Sequence, residues 1–246
     1  MDYKEQVKQV ARAIEESSSF FVLTGAGIST ESGIPDFRSP GTGIWEKVDP
    51  IKTSSAQALN SSPELFFEVG FARFRSLKEA QPNEGHFALA KMEEMGLLKG
   101  IITQNIDGLH HKAGSKNVWE VHGHLRTCHC MGCHKEYDFD EMPGQLEQGK
   151  NPPLCPSCNN ILRPDVVLFG DSMSAAFFDA ERQLKTGCDY LLVIGSSLVV
   201  YPVAGLPGLV KRLSIINNQP TNHDYRAEVV IRDNCSKALQ DILMEL

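Results

Sequence analysis

Four times in this chain an apolar run stops dead at a cluster of small or polar residues. Phe20-Phe21-Val22-Leu23-Thr24 runs into Gly25-Ala26-Gly27, and Gly100-Ile101-Ile102-Thr103-Gln104 opens into Asn105-Ile106-Asp107. Tyr190-Leu191-Leu192-Val193-Ile194 meets Gly195-Ser196-Ser197, and Ser214-Ile215-Ile216 ends at Asn217. Runs this short and this continuously apolar are strands buried on both faces, which occur in parallel sheets covered by helices. Ligands of such sheets sit at the carboxyl ends of the strands. The expectation is therefore an α/β fold whose glycine-rich turns, Asn105, Asp107 and Asn217 share one edge. Val118-Trp119-Glu120-Val121 adds a short strand that ends in His122-Gly123, and His122 joins the same edge.

The first turn is the richest. In Gly25-Ala26-Gly27-Ile28-Ser29-Thr30 the glycines allow close backbone approach to a pyrophosphate, and two hydroxyls follow. A hydride-transferring enzyme would show G-x-G-x-x-G and an acid about 20 residues on. Here the next glycine is Gly33, and Pro35-Asp36-Phe37-Arg38 comes after it. Pro35 stiffens the chain ahead of an acid, an aromatic ring and a guanidinium, a trio aimed into a site where a cofactor is acted on.

The helices are legible too. Val7, Val10, Ala11 and Ile14 recur at helical spacing, predicting an amphipathic helix over 3–17. Asn83 caps a helix running to Met95, with Gly96 as its stop. Between them, 39–82 changes texture and reads as a helical insertion. A strand is expected at Val166–Asp171 on the ligand edge, then a helix over 174–185. Ala227–Ile231 reads as the last strand and Cys235–Leu246 as the closing helix.

Cys130-Met131-Gly132-Cys133 and Cys155-Pro156-Ser157-Cys158 form two C-x-x-C pairs, with a separation just past the ~15–20 residues usual for a zinc knuckle pair. Two such turns complete a tetrahedral four-sulfur site. Such a site is closed to water, so the zinc would be structural. Cys128 is a surplus thiol that could replace Cys130; His129 and His134 are weaker candidates. Seven cysteines, an odd count with local clustering, suit a metal site in a reducing compartment more than a disulfide framework, so a cytoplasmic protein is expected. A net charge of −7 argues against general nucleic-acid affinity. No apolar run approaches the ~20 residues that span a membrane.

Taken together, GAGIS, GIPDFR, QNID (Gln104–Asp107), HG (His122-Gly123), the two C-x-x-C pairs, GSS (Gly195–Ser197) and the asparagine after the next strand resemble the sirtuins in order and spacing. Sirtuins are NAD-dependent protein deacylases, and the likeness is to their compact bacterial and archaeal members. It implies a Rossmann-like domain (1–38, 83–123 and 165–246) with a smaller domain inserted (39–82 and 124–164), part helical and part zinc ribbon. It implies cofactor contacts at Gly25, Ala26, Gly27, Ser29, Thr30, Asp36, Phe37 and Arg38. Gln104 and Asn105 match residues that hold the ribose and an ordered water, Asn105 being catalytic with His122. Ile106 and Asp107 match the nicotinamide carboxamide pocket. Gly195, Ser196, Ser197, Asn217 and Cys235 would line the adenosine end, and Val167, Leu168, Phe169 and Gly170 the peptide strand.

His122 matches the general base, which takes a ribose hydroxyl proton after the acyl oxygen has displaced nicotinamide; a pKa near neutrality suits that task. The products implied are free lysine, nicotinamide and O-acetyl-ADP-ribose, the cofactors NAD and one structural Zn2+, and the partners acetyl-lysine proteins or peptides. A monomer is expected, with neither nucleic acid nor membrane as partner. Sirtuins that prefer succinyl or malonyl lysine carry Tyr-x-x-Arg in the first insertion; the positions here are Gly70 and Arg73, so acetyl is expected first and longer acyl chains remain open. ADP-ribosyl transfer on the same fold, hydride transfer and a non-enzymatic zinc-ribbon adaptor are the competing readings.

Overall fold

The computed structural model describes residues 1–35 and 49–246, with the side chains of 50, 51 and 71–73 left aside. Asp36, Phe37 and Arg38 thus lie outside the described residues, as does the side chain of Arg73. The described strands are β1 (Phe20–Thr24), β2 (Leu98–Thr103), β3 (Val118–Glu120), β4 (Gly123–Cys130), β5 (Glu136–Asp138), β6 (Leu162–Val166), β7 (Tyr190–Ile194), β8 (Arg212–Ile216) and β9 (Val230–Ile231). They make a six-stranded sheet ordered β3-β2-β1-β7-β8-β9 and a three-stranded sheet ordered β5-β4-β6. Every pairing in the large sheet is parallel. The small sheet is antiparallel.

Side chains along a strand alternate between faces, and the large sheet uses both. Phe20 and Val22 pack with Val10, Ile14, Leu89, Leu239 and Ile242, from helices Tyr3–Glu16, Glu84–Glu94 and Cys235–Glu245. Phe21 and Leu23 pack on the opposite side with Phe177, Leu184, Val203 and Leu206. The first helix starts where Asp2 accepts the Glu5 N–H at 2.9 Å, a cap worth about 1 kcal/mol. Its end at Glu16 agrees with the expected helix to one residue.

The chain leaves β1 towards β2 and β3 on one side, and β7 towards β8 and β9 on the other. A crevice therefore opens outside the carboxyl ends of β1 and β7, where the strand order reverses. β4 begins immediately after His122, so the small sheet departs from that same edge. Its outer layer is helical: Leu59, Phe66, Phe67 and Phe74 pack on Phe139, Leu162 and Val166, with Phe74 and Phe139 edge to face at 5.8 Å.

Two expectations need correction. Val166–Asp171 is not a strand of the ligand edge: β6 stops at Val166 and pairs in the small sheet. The next N–H groups are drawn elsewhere, Val167 to the His122 carbonyl at 2.8 Å and Phe169 to that of Ser54 at 3.1 Å. Asp171 binds Arg163 at 2.7 Å and accepts the Leu168 N–H at 2.9 Å, curling the segment into a tie between the two sheets. The last strand is only Val230–Ile231, because β8 offers it just two paired positions.

Candidate functional site

A cavity of about 700 Å³ occupies the crevice, within the range of ordinary ligand sites. Of the residues expected there, Gly25, Ala26, Gly27, Ser29, Gln104 to Asp107, His122, Val167 to Gly170, Gly195 to Ser197 and Asn217 all line it. Thr30 does not; it is exposed, its hydroxyl donating to the Gly27 carbonyl at 3.0 Å. Cys235 opens the closing helix and its side chain is buried in the core, where burial pushes its thiol up to about 12. Lining residues that no sequence signal marked are Tyr201, Pro202 and Gln219 after β7 and β8, and Phe66, Val69 and Phe74 on the Pro63–Glu79 helix. The last three fall in the stretch read as a helical insertion.

The glycines have a packing reason besides the one expected. A Cβ on Gly27 would lie 2.6 Å from the Gly195 Cα, and one on Gly25 2.8 Å from the Gly195 oxygen. Gly195 itself has φ +61 and would place a Cβ 2.5 Å from the Ile28 nitrogen. The turns after β1 and β7 are thus locked face to face, with the Gly27 N–H donating to the Gly195 oxygen at 2.8 Å. Close backbone packing by itself requires the missing side chains. Gly27→Ala should cost about 1–3 kcal/mol in denaturant unfolding; a cost inside ~0.5 kcal/mol would show that the turns part freely.

The polar floor is a directed network. The Ser29 hydroxyl donates to Asp107 Oδ2 at 2.8 Å and accepts from Asn105 Nδ2 at 3.1 Å. Asn105 Nδ2 also donates to the Gly25 carbonyl at 3.2 Å, which leaves Oδ1 as the group this side chain can offer. His86 Nε2 lies 3.4 Å from Ser29 Oγ. Its Nδ1 lies 3.3 Å from the Asn83 nitrogen and 3.1 Å from Asn83 Oδ1, so the ring is held against the residue that caps its helix. Burial raises the Asp107 carboxyl above its usual range, against the pull of the Leu109 N–H and the Ser29 hydroxyl. His86 was missed in the sequence, where it looked like one more helix residue.

Burial lowers His86 to about 4. The unfolded chain then holds a proton that the folded chain refuses between about 6.5 and 4. This contribution to stability is complete above 6.5 and declines by about 1.4 kcal/mol per pH unit on acidification, to a loss of about 3 kcal/mol. Unfolding followed against pH should lose roughly one proton of slope in His86→Gln. An unchanged slope would assign the acid sensitivity elsewhere.

His122 closes the cavity at the end of β3. Its Nδ1 lies 3.0 Å from the main-chain oxygen of Gln104. A carbonyl only accepts, so Nδ1 bears the hydrogen and Nε2 holds the lone pair. Burial lowers its pKa, partly opposed by that hydrogen bond. The near-neutral value expected from sequence is pushed downward, which favours the neutral imidazole.

In the small sheet the Sγ atoms of Cys130, Cys133, Cys155 and Cys158 all lie within 4.8 Å of one another. Cys130 and Cys158 are 3.3 Å apart and Cys133 and Cys155 3.7 Å. Four sulfurs at about 2.3 Å from one zinc would sit about 3.8 Å apart, so the set fits a tetrahedral ion. Cys128 points away, its thiol 3.4 Å from the Asp138 carbonyl. Among the described residues no helix is long and apolar enough to cross a membrane.

Residues 25–202 match the model of the Sir2 family. The chain is 52% identical to NAD-dependent protein deacetylase 2 of Caldanaerobacter subterraneus subsp. tengcongensis, over 98% of this chain and 96% of that one. Among solved structures, one described as Sir2 with a p53 peptide and NAD+ superposes with a TM-score of 0.88 at 36% identity, covering 97% of this chain and 98% of that one. Another, described as Sir2 bound to acetylated peptide, has a TM-score of 0.88 at 34% identity, with coverage of 97% and 98%. The chain belongs to the Sir2 family.

Proposed function

We propose that this protein removes acetyl groups from lysine side chains of proteins with consumption of NAD, releasing nicotinamide, O-acetyl-ADP-ribose and free lysine. The observation that carries the reading is His122: a neutral imidazole, its tautomer set by the Gln104 carbonyl, on the wall of a cavity that also meets the paired glycine turns. NAD, when bound, supplies a nicotinamide that can leave and a ribose that receives the acyl group. His122 Nε2 takes the proton from a ribose hydroxyl and stays oriented because Nδ1 is tethered. Asn105 presents Oδ1 to a ribose hydroxyl or an ordered water, held by its two Nδ2 bonds. Asp107 and Ile106 receive the carboxamide; Ser29 keeps Asp107 oriented by donating to it. Gln104, whose Nε2 donates to Ser196 Oγ at 2.8 Å, links the ribose end to the turn that would take the adenosine, with Ser197 and Asn217. Any contribution of Cys235 has to come from its backbone, since its thiol lies in the core.

The zinc holds the small sheet and takes no chemical step. The division expected from sequence, 1–38, 83–123 and 165–246 against 39–82 and 124–164, places the acyl peptide in the cleft between two domains. Val167–Gly170 is the proposed peptide edge. The N–H groups of Val167, Leu168 and Phe169 are already used within the chain, as are the Leu168 and Phe169 carbonyls, so a peptide strand would pair first with the Val167 carbonyl and Gly170.

Acetyl is the proposed acyl group, because position 70 is glycine and not the tyrosine of dicarboxyl-preferring relatives. A second reading, longer aliphatic chains, is favoured by the apolar wall of Phe66, Val69, Phe74 and Leu168. Mass spectrometry of acetyl-lysine and octanoyl-lysine peptides, each with and without NAD, separates these. Loss of acetyl only with NAD, with O-acetyl-ADP-ribose formed, is the expected result. Consumption of NAD with mass added to protein would instead mean ADP-ribosyl transfer, and no consumption would sink the enzymatic reading.

A further inference from the structure

The cysteine cluster is joined to solvent by a line of hydrogen bonds that the acyl-transfer chemistry does not use. Tyr137 Oη lies 3.1 Å from Cys155 Sγ, Ser157 Oγ lies 2.9 Å from Tyr137 Oη, and Lys135 Nζ lies 3.1 Å from Ser157 Oγ. The ammonium also stands 5.4 Å from the centre of the Tyr137 ring. The direction of every bond follows once zinc is bound, the reading on which this inference rests. A zinc-bound Cys155 is a thiolate without a hydrogen, so it can only accept. Tyr137 has one hydrogen and must give it to the sulfur. Its oxygen then accepts from the Ser157 hydroxyl, and Ser157 in turn accepts from Lys135, which has donors alone.

We propose that Lys135, Ser157 and Tyr137 form a one-way donor relay from a surface cation to the Cys155 thiolate, with Tyr137 the positioning residue that keeps Cys155 on the metal. Four thiolates around one Zn2+ leave an excess of negative charge, and each hydrogen bond to sulfur draws some of it off. Other groups do this elsewhere in the cluster: the N–H groups of Gly132 and Cys133 reach Cys130 at 3.3 and 3.4 Å, and Asn160 Nδ2 reaches the exposed Cys158 at 3.8 Å. Cys155 accepts the Ser157 N–H at 3.4 Å and, in addition, the tyrosine hydroxyl. Cys155 is buried while Cys133 and Cys158 are exposed. Water can therefore reach the exposed sulfurs, whereas a buried one depends on the protein for its donors.

The test uses the full chain loaded with zinc, titrated with a competing metallochromic chelator, and the Co2+-substituted protein for its spectrum. Tyr137→Phe keeps the ring and its packing and removes the hydroxyl alone. Its zinc Kd should rise about 10–100-fold. Its thiolate-to-cobalt band should move to lower energy, because the sulfur lone pair loses its donor; general loosening of the fold would not produce that shift. Ser157→Ala and Lys135→Gln should each weaken zinc less, and neither should add to Tyr137→Phe, which already cuts the line. A Tyr137→Phe protein with zinc affinity within twofold of the parent and an unmoved cobalt band overturns the relay, as does full additivity of Ser157→Ala upon it. A parent chain that holds no zinc at all overturns the zinc reading, and this inference with it.

Discussion

His122→Ala protein should lose roughly 10²–10⁴-fold in turnover of an acetyl-lysine peptide, the usual contribution of a positioned general base. The replacement removes a partly buried ring bonded to the Gln104 carbonyl, so zinc content and unfolding midpoint should change little by comparison. The pH profile adds a signature. The base works as neutral imidazole, and burial lowers its pKa, so the acid limb of kcat/KM should fall below the ordinary histidine value of about 6.5. Activity should therefore be on its plateau at neutral pH. Undiminished turnover in His122→Ala, or a limb above neutrality, would take His122 out of the proton transfer.

Cys130→Ser should be costlier still, though to structure more than to chemistry. A structural zinc contributes about 10–16 kcal/mol of apparent binding energy in small zinc-dependent folds, comparable to a whole domain's ordinary margin. Losing one thiolate should release the metal and unpair β4, β5 and β6, whose three short strands share a modest apolar layer. Hydrogen exchange should then show lost protection in Cys128–Cys130 and in Leu162–Val166, with the strands of the parallel sheet still protected by their two-sided core. Activity should fall as well, since Val167 hangs from the His122 carbonyl at the end of β6. Full zinc stoichiometry together with unchanged protection would show that the four sulfurs do not hold a structural ion.

Much of this was legible in the chain as written. The buried strands Phe20–Thr24 and Tyr190–Ile194 stand at the residues their apolar runs predicted, because a strand covered on both faces has no room for polar residues. The turns after them were legible because glycine and serine mark chain direction changes locally. The two C-x-x-C pairs announced a metal site because each knuckle is built within four residues. All of these are short-range facts, decided by residues adjacent in sequence.

What the sequence left undetermined is long-range. The 166–171 run is apolar enough for a ligand-edge strand, yet Asp171, Arg163, Ser54 and the His122 carbonyl compete for its backbone and pull it into a tie between sheets. His86 carried no signal beyond helical periodicity, and it became part of the site only because its helix places it beside Ser29. Cys235 sat at a position suited to the cofactor, but the closing helix turned its thiol into the core. The acid strength of His122 and Asp107 likewise depends on what surrounds them. Composition and local pattern thus determined the sheet, the turns, the zinc knuckles and the family. Tertiary packing alone decided which glycines meet, which polar groups are desolvated and which tautomer His122 holds, because those depend on contacts between residues apart in sequence, 18 positions for His122 with Gln104 and 80 for Asn105 with Gly25.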